Sequence, residues 1–277
     1  MIAEFIESWP LFYRTYLSAI MIGLSLSLLG VVVVARGNVF VAAAISQASL
    51  LGVALSMFFR LGQPVLTAVF CSVGASLLVA RKHSGGGSSS SEELTGWLFL
   101  ISGSLSVLLL AKMPFGLKEI QSLFSSSIIG ANSLDIGVFA SLLVIFILFL
   151  LTRMRRLTLF LSDPVMAAAV GANIMIWSVT LSIALGLATG LAIRSSGMLF
   201  TFGCLILPAQ MAKHICRDIS PMFMAAPIMA IVSILSGLVL GNYFDLPPAQ
   251  TIIALMSFML LLTWSYRWTR DSFFVTS

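Results

Sequence analysis

The sequence is poor in charge. Asp, Glu, Lys and Arg make up 9% of its 277 residues, against about 25% in a soluble domain. Hydrophobic residues reach 59% and the mean hydropathy is +1.08. Such a chain cannot cover a globule with a solvated surface, so a soluble domain is excluded. It also lacks the short alternating segments of a transmembrane barrel. Its three cysteines, Cys71, Cys204 and Cys216, lie inside or at the ends of apolar runs, and neither a disulfide framework nor a zinc knuckle can be read from them. A GxxxxGK[ST] phosphate loop is missing, so the chain is not an ATPase and any nucleotide energy must enter from another subunit. The opening "MIAEFIESWP" is acidic and has no basic n-region, so the first apolar run is not expected to be a cleavable signal. No nucleic-acid partner is expected.

What is present is a series of apolar runs. A membrane span needs about 20 mostly apolar residues. Nine candidates lie near 15–35, 39–59, 63–80, 95–111, 136–152, 173–193, 197–212, 222–241 and 251–266, or eight if one is re-entrant. The expected fold is an all-α, polytopic membrane helical bundle forming one domain over 1–277. Ten basic residues (Arg36, Arg81, Lys82, Arg153, Arg155, Arg156, Lys213, Arg217, Arg267, Arg270) fall at one set of span ends. Five (Arg14, Arg60, Lys112, Lys118, Arg194) fall at the other. The positive-inside rule makes the richer set cytoplasmic. The N-terminus is then outside and the C-terminus in the cytoplasm, in a plasma (inner) membrane.

Two connections stand out by composition. "HSGGGSSSSEEL" at 83–94 reads as a flexible cytoplasmic linker, and "LKEIQSLFSSSIIG", in the outer loop at 113–135, as a short surface or re-entrant helix. All ten acidic residues fall in loops or at span ends, and His83 and His214 both fall at the cytoplasmic side. A secondary carrier driven by protons or sodium usually keeps ionisable groups within its spans. A stand-alone carrier or channel is therefore the alternative reading, not the main one. Cys204, Met211 and His214 could be taken for soft metal ligands, but the seven-residue spacing and the intervening Pro208 fit packing better.

The most informative loop is "LFLSDPVMAAAVGAN" at 159–173, just after "RMRR". Ser162 or Asp163 suits an N-cap, Pro164 the first helical position and Gly171 the end, which predicts a helix of about two turns over 162–171. Its middle, Val165 to Val170, is uncharged. So short a helix is unstable alone in water, and something must cover its small apolar face. Lipid-surface helices favour Leu, Phe and Trp, whereas alanines suit a knob docking into a protein groove.

This segment resembles the coupling helix of ABC importer permeases, most closely those of the zinc/manganese/iron (metal-ion) family, with Asp-Pro, alanines and a Gly. "GVVVVARGNVFVAAAISQASLLGVAL" at 30–55, "GMLFTFGCLILPAQMAKH" at 197–214 around Pro208 and Ala209, and "NYFDLPPAQTI" at 242–252 resemble the same family in register. The resemblance implies a fold of eight or nine helices related to cobalamin and siderophore importer permeases. It also implies an assembly of two permease subunits (a second copy or a paralogue), two ATP-binding subunits that hold ATP and Mg, and an extracytoplasmic substrate-binding protein, in lipid. No cofactor is expected in this chain itself. Asp163, Pro164, Met166, Ala168 and Gly171 would couple to the ATPase. Ala43, Ser46, Gln47, Pro208 and Asp245 would line or flank the path.

The family carries an Asp and a His four residues apart on its second helix, one face apart by one turn, a pairing that suits a borderline cation. Here those positions are Ala43 and Gln47. No metal ligands are therefore assigned, and the expected cargo is a metal chelate or a non-metal solute. A different permease partner supplying ligands, or a hydrated ion handled by outer residues such as Asp135 and Asp245, is also compatible with the residues.

Overall fold

The computed structural model describes the backbone of residues 2–83, 88–113, 118 and 133–275, and side chains within 13–81, 92–113, 118 and 136–265. Among these, all regular structure is helical: α1 (Ile2–Ala35), α2 (Val39–Phe58), α3 (Pro64–His83), α4 (Ser88–Ala111), α5 (Ser133–Ser162), α6 (Pro164–Ala169), α7 (Ile174–Ile215), α8 (Ile219–Tyr243) and α9 (Pro248–Val275). Helices satisfy their own backbone groups, which lipid cannot do for them. Eight of them are long and apolar enough to cross a membrane, so the chain is a multi-pass membrane protein.

The directions of the helices follow from where they touch. α2 and α3 are antiparallel and very close: a Cβ on Gly52 would collide with Thr67 and Ala68. α3 and the first half of α7 are also antiparallel, with Gly186 against Val73 and Gly190 against Val69. The second half of α7 runs parallel to α9, since Gly203 abuts Ile253 and the His214 ring lies 6.2 Å from Trp264.

A straight helix of 42 residues would be roughly 63 Å long, twice the hydrocarbon thickness. α7 instead folds back. Trp177 near its start stacks 6.0 Å from Phe160, the ring on which Arg36 rests, and Lys213 near its end borders the same groove as Gly37. Both ends of α7 therefore lie at one end of α1. The reversal is at Gly197, with φ 79 and ψ 166, a region open essentially only to glycine. Ser196 and Thr201 hydroxyls, 3.2 Å apart, close the corner. With α7 counted as two halves, all nine expected spans are found.

Arg36, Arg81, the 153–156 cluster and Lys213 gather at the end of the bundle that carries α6, while Arg60, Arg194 and Lys112 lie at the opposite end. The two basic sets expected from the sequence are thus two physical ends. α1 and α2 form the centre, with 78% and 67% of their spans buried, and α5 and α9 the flanks, at 17% each. Small residues let the central helices approach closely, and Ser72 Oγ donates to the Gly186 carbonyl at 2.7 Å across one such contact.

Three boundaries differ from the sequence reading. α4 starts at Ser88, inside the stretch expected as a linker, because a polar Ser/Glu run is compatible with the first turns of a helix whose apolar part follows. Residues 84–87 of that stretch lie outside the described residues, as does most of the expected outer helix at 113–135. α5 continues ten residues past 152, because Leu157, Phe160 and Leu161 keep one apolar stripe that packs onto the bundle. α9 continues past 266 to Val275.

Candidate translocation path and docking helix

α6 hangs from the extension of α5. Asp163, in extended conformation, accepts hydrogen bonds from the backbone N–H of Val165 at 2.9 Å and Met166 at 3.0 Å, and Pro164 takes the first helical position, where its missing N–H costs nothing. The end is a left-handed turn at Gly171, φ 84, in which the Ala172 N–H donates to the Ala167 carbonyl and the Gly171 N–H to the Ala168 carbonyl, each at 2.9 Å. Both ends are therefore satisfied within the ten residues from Asp163 to Ala172, as the Asp-Pro and Gly signals predicted. Ala167 is fully buried against the bundle, whereas Val165 is 79% exposed, Met166 55% and Val170 73%. Ala168 is also exposed. Between α6 and the start of α7 lies a cleft of about 350 Å³ lined by Arg156, Ala167, Gly171 and Trp177.

The candidate path residues do not form one cluster. Ala43, half-buried, and Gln47, 7% exposed, lie one turn apart on α2, on the stripe that continues through Phe40 and Leu51. The Gln47 carboxamide sits over α4 at Gly103, where an added Cβ would lie 3.4 Å from Oε1. Ser46 is fully buried on the same turn. Pro208 is buried on the second half of α7, the half that α1 meets so closely that a Cβ on Gly30 would strike the Leu205 carbonyl. Asp245 is exposed at the far end of the bundle. Its φ of 52 and the Leu246 N–H to Gly241 carbonyl bond of 2.9 Å make it the left-handed residue that ends α8.

The sequence reading missed Ser49. Ser46 Oγ, Gln47 Oε1 and Ser49 Oγ are all buried without a hydrogen-bond partner among the described residues. Each such atom costs about 1–3 kcal/mol, so three within four residues of one helix is a concentrated polar deficit. A lone serine in an apolar helix reads as packing, and only its lack of a partner distinguishes Ser49. Among the described residues no group of three or more His, Cys, Asp or Glu comes together.

The chain is 28% identical to the manganese import system permease protein ScaB of Streptococcus pneumoniae, over 95% of this chain and 94% of the relative. It is 24% identical to the high-affinity zinc uptake system membrane protein ZnuB of Haemophilus influenzae, over 92% and 97%. The fold matches PsaBC from Streptococcus pneumoniae, solved in complex with Fab, with a TM-score of 0.80 at 22% identity over 95% of each chain. The model of the ABC 3 transport family matches residues 8–267, and the chain belongs to that family.

Proposed function

We propose that this chain is the transmembrane permease subunit of an ATP-driven ABC importer. Two permease subunits form the path, one of two ATP-binding subunits docks on the α6 of each, and an extracytoplasmic binding protein delivers the cargo. The observation that carries this is α6: a helix capped at both ends, uncharged, and presenting Val165, Met166 and Val170 outward at the basic end of the bundle. An apolar knob with small residues fits a protein groove better than water or lipid headgroups. The relatives named for manganese and zinc systems support the same reading.

The cargo need not be a bare ion. α2 offers Gln47, Ser46 and Ser49, which are neutral hydrogen-bonding groups. These suit a solute whose charge is already satisfied, either a metal chelate or a small polar molecule. The assembly is tested by expressing the chain with its ATP-binding subunit. Ala168→Arg places a cation in the exposed face of α6 and should lose ATPase copurification and transport while the bundle still inserts. Full copurification and transport by that variant would refute the reading.

A further inference from the structure

At the basic end of the bundle a groove of about 650 Å³ opens between the end of α1, the second half of α7 and α9. Its α7 wall carries Leu207, Gln210 and Lys213, and its α9 wall Leu260, Leu261 and Trp264. Because these two helices run parallel, the groove has a direction. Leu207 lies deepest, and Lys213 lies roughly 9 Å further along the axis, beside the level marked by the His214–Trp264 ring contact. The groove is thus aliphatic at depth and cationic with an aromatic at its mouth. Among the described residues none that lines it is acidic.

We propose that this groove binds one phospholipid with an anionic headgroup, its phosphate at Lys213, its glycerol level beside Trp264, and its first acyl methylenes between Leu207, Leu260 and Leu261. Three observations select a lipid over other occupants. The polarity gradient along the groove is that of a phospholipid entering a leaflet. The α9 wall is continuous with an exposed apolar flank, Phe258, Leu261 and Leu262, each more than half exposed, so the groove opens sideways toward acyl chains. Basic pockets between helices at the bundle end, with interfacial Trp, are where anionic headgroups are held. Among the described residues no carboxylate lines the groove, so no anionic group there pairs with a choline or ethanolamine cation. The groove touches α2 only at its first residue, Val39, about two turns from Gln47, and does not involve α6, so lipid retention is read separately from transport.

The test is native mass spectrometry of the full-length chain, incubated in detergent with equimolar phosphatidylglycerol and phosphatidylcholine. The expected result is retention of one phosphatidylglycerol in clear preference to phosphatidylcholine, undisturbed by millimolar inorganic phosphate. Lys213→Gln should lower phosphatidylglycerol retention about fivefold, the factor that one basic residue contributes near an anionic surface. Ser257→Trp, which fills the groove from an exposed position, should lower retention of both lipids; gel filtration of both variants confirms that the bundle is intact. Equal retention of the two lipids by the unmodified chain, no change in Lys213→Gln, or displacement by inorganic phosphate would overturn the proposal. So would disulfide capture of two Leu260→Cys chains without bound lipid, which would show that a second copy fills the groove.

Discussion

The guanidinium of Arg36 lies 4.8 Å from the centre of the Phe160 ring. Arg36 directly follows α1, with two residues between it and the start of α2, and Phe160 is fully buried on the α5 extension from which α6 hangs. The contact therefore ties the α5 extension that carries α6 to the junction of the two central helices. Burial lowers the Arg36 pKa, but a guanidinium stays charged, so the contact persists across the physiological range.

A desolvated cation–π contact is worth up to about 2 kcal/mol. Phe160→Leu keeps an apolar side chain there and removes the ring face. The expected outcome is a lower melting temperature of the purified chain, and, in the assembled importer, ATPase activity less responsive to the loaded binding protein. An unchanged melting temperature and an unchanged response would show that the ring contact contributes nothing.

Close helix approach is the second vulnerable feature. A Cβ at Gly190 would stand 2.6 Å from Ser72 Oγ and 2.7 Å from the Val69 Cα, and the latter cannot move without moving α3. Gly190→Leu should therefore cost about 1–3 kcal/mol or more and reduce monodisperse protein in fluorescence-detected gel filtration. Gly96→Ala is the control, because its Cβ would meet Phe40 at an ordinary 3.9 Å. Equal behaviour of the two variants would contradict the packing described.

Much of this architecture is legible in the sequence, and the misses have physical causes. The nine apolar runs, the two basic sets and the caps of α6 are local signals, each set by residues within a few positions of one another. The continuation of α5 to Ser162 is hidden because Arg153, Arg155 and Arg156 look like the end of a span; only the apolar spacing of Leu157, Phe160 and Leu161 betrays the helix. The reversal between 193 and 197 is legible from the two apolar runs and from Arg194 between them, but the pivot at Gly197, with no loop between the two halves of α7, is not. The separation of Asp245 and Pro208 from the α2 residues is likewise a tertiary fact. So is the lack of partners for the Ser46, Gln47 and Ser49 oxygens among the described residues.

The orientation in the membrane is an expectation from charge. Arg155 and Asp245 are both exposed and lie at opposite ends of the bundle. With the native cysteines replaced, Asp245→Cys should react with an impermeant maleimide in intact cells and Arg155→Cys only after the membrane is opened. The reverse pattern would invert the topology and put α6 on the wrong side for an ATPase.

The final prediction concerns selectivity. A divalent ion entering a helix bundle must exchange its hydration for ligands of comparable strength, and sites for zinc or manganese draw on imidazole and carboxylate. α2 presents Ala43 and Gln47 one turn apart, and the nearby acceptors are a carboxamide oxygen and two hydroxyls. A homodimer of this chain should therefore retain no stoichiometric zinc or manganese after desalting, as read by inductively coupled plasma mass spectrometry. The double substitution Ala43→Asp with Gln47→His restores a carboxylate and an imidazole at i and i+4, and should gain ion retention while the complex with its ATP-binding subunit stays intact. The two outcomes separate cleanly: loss of that complex would speak against the importer reading, whereas stoichiometric metal beside residues 43–47 of the unmodified chain would speak only against a chelated or neutral cargo.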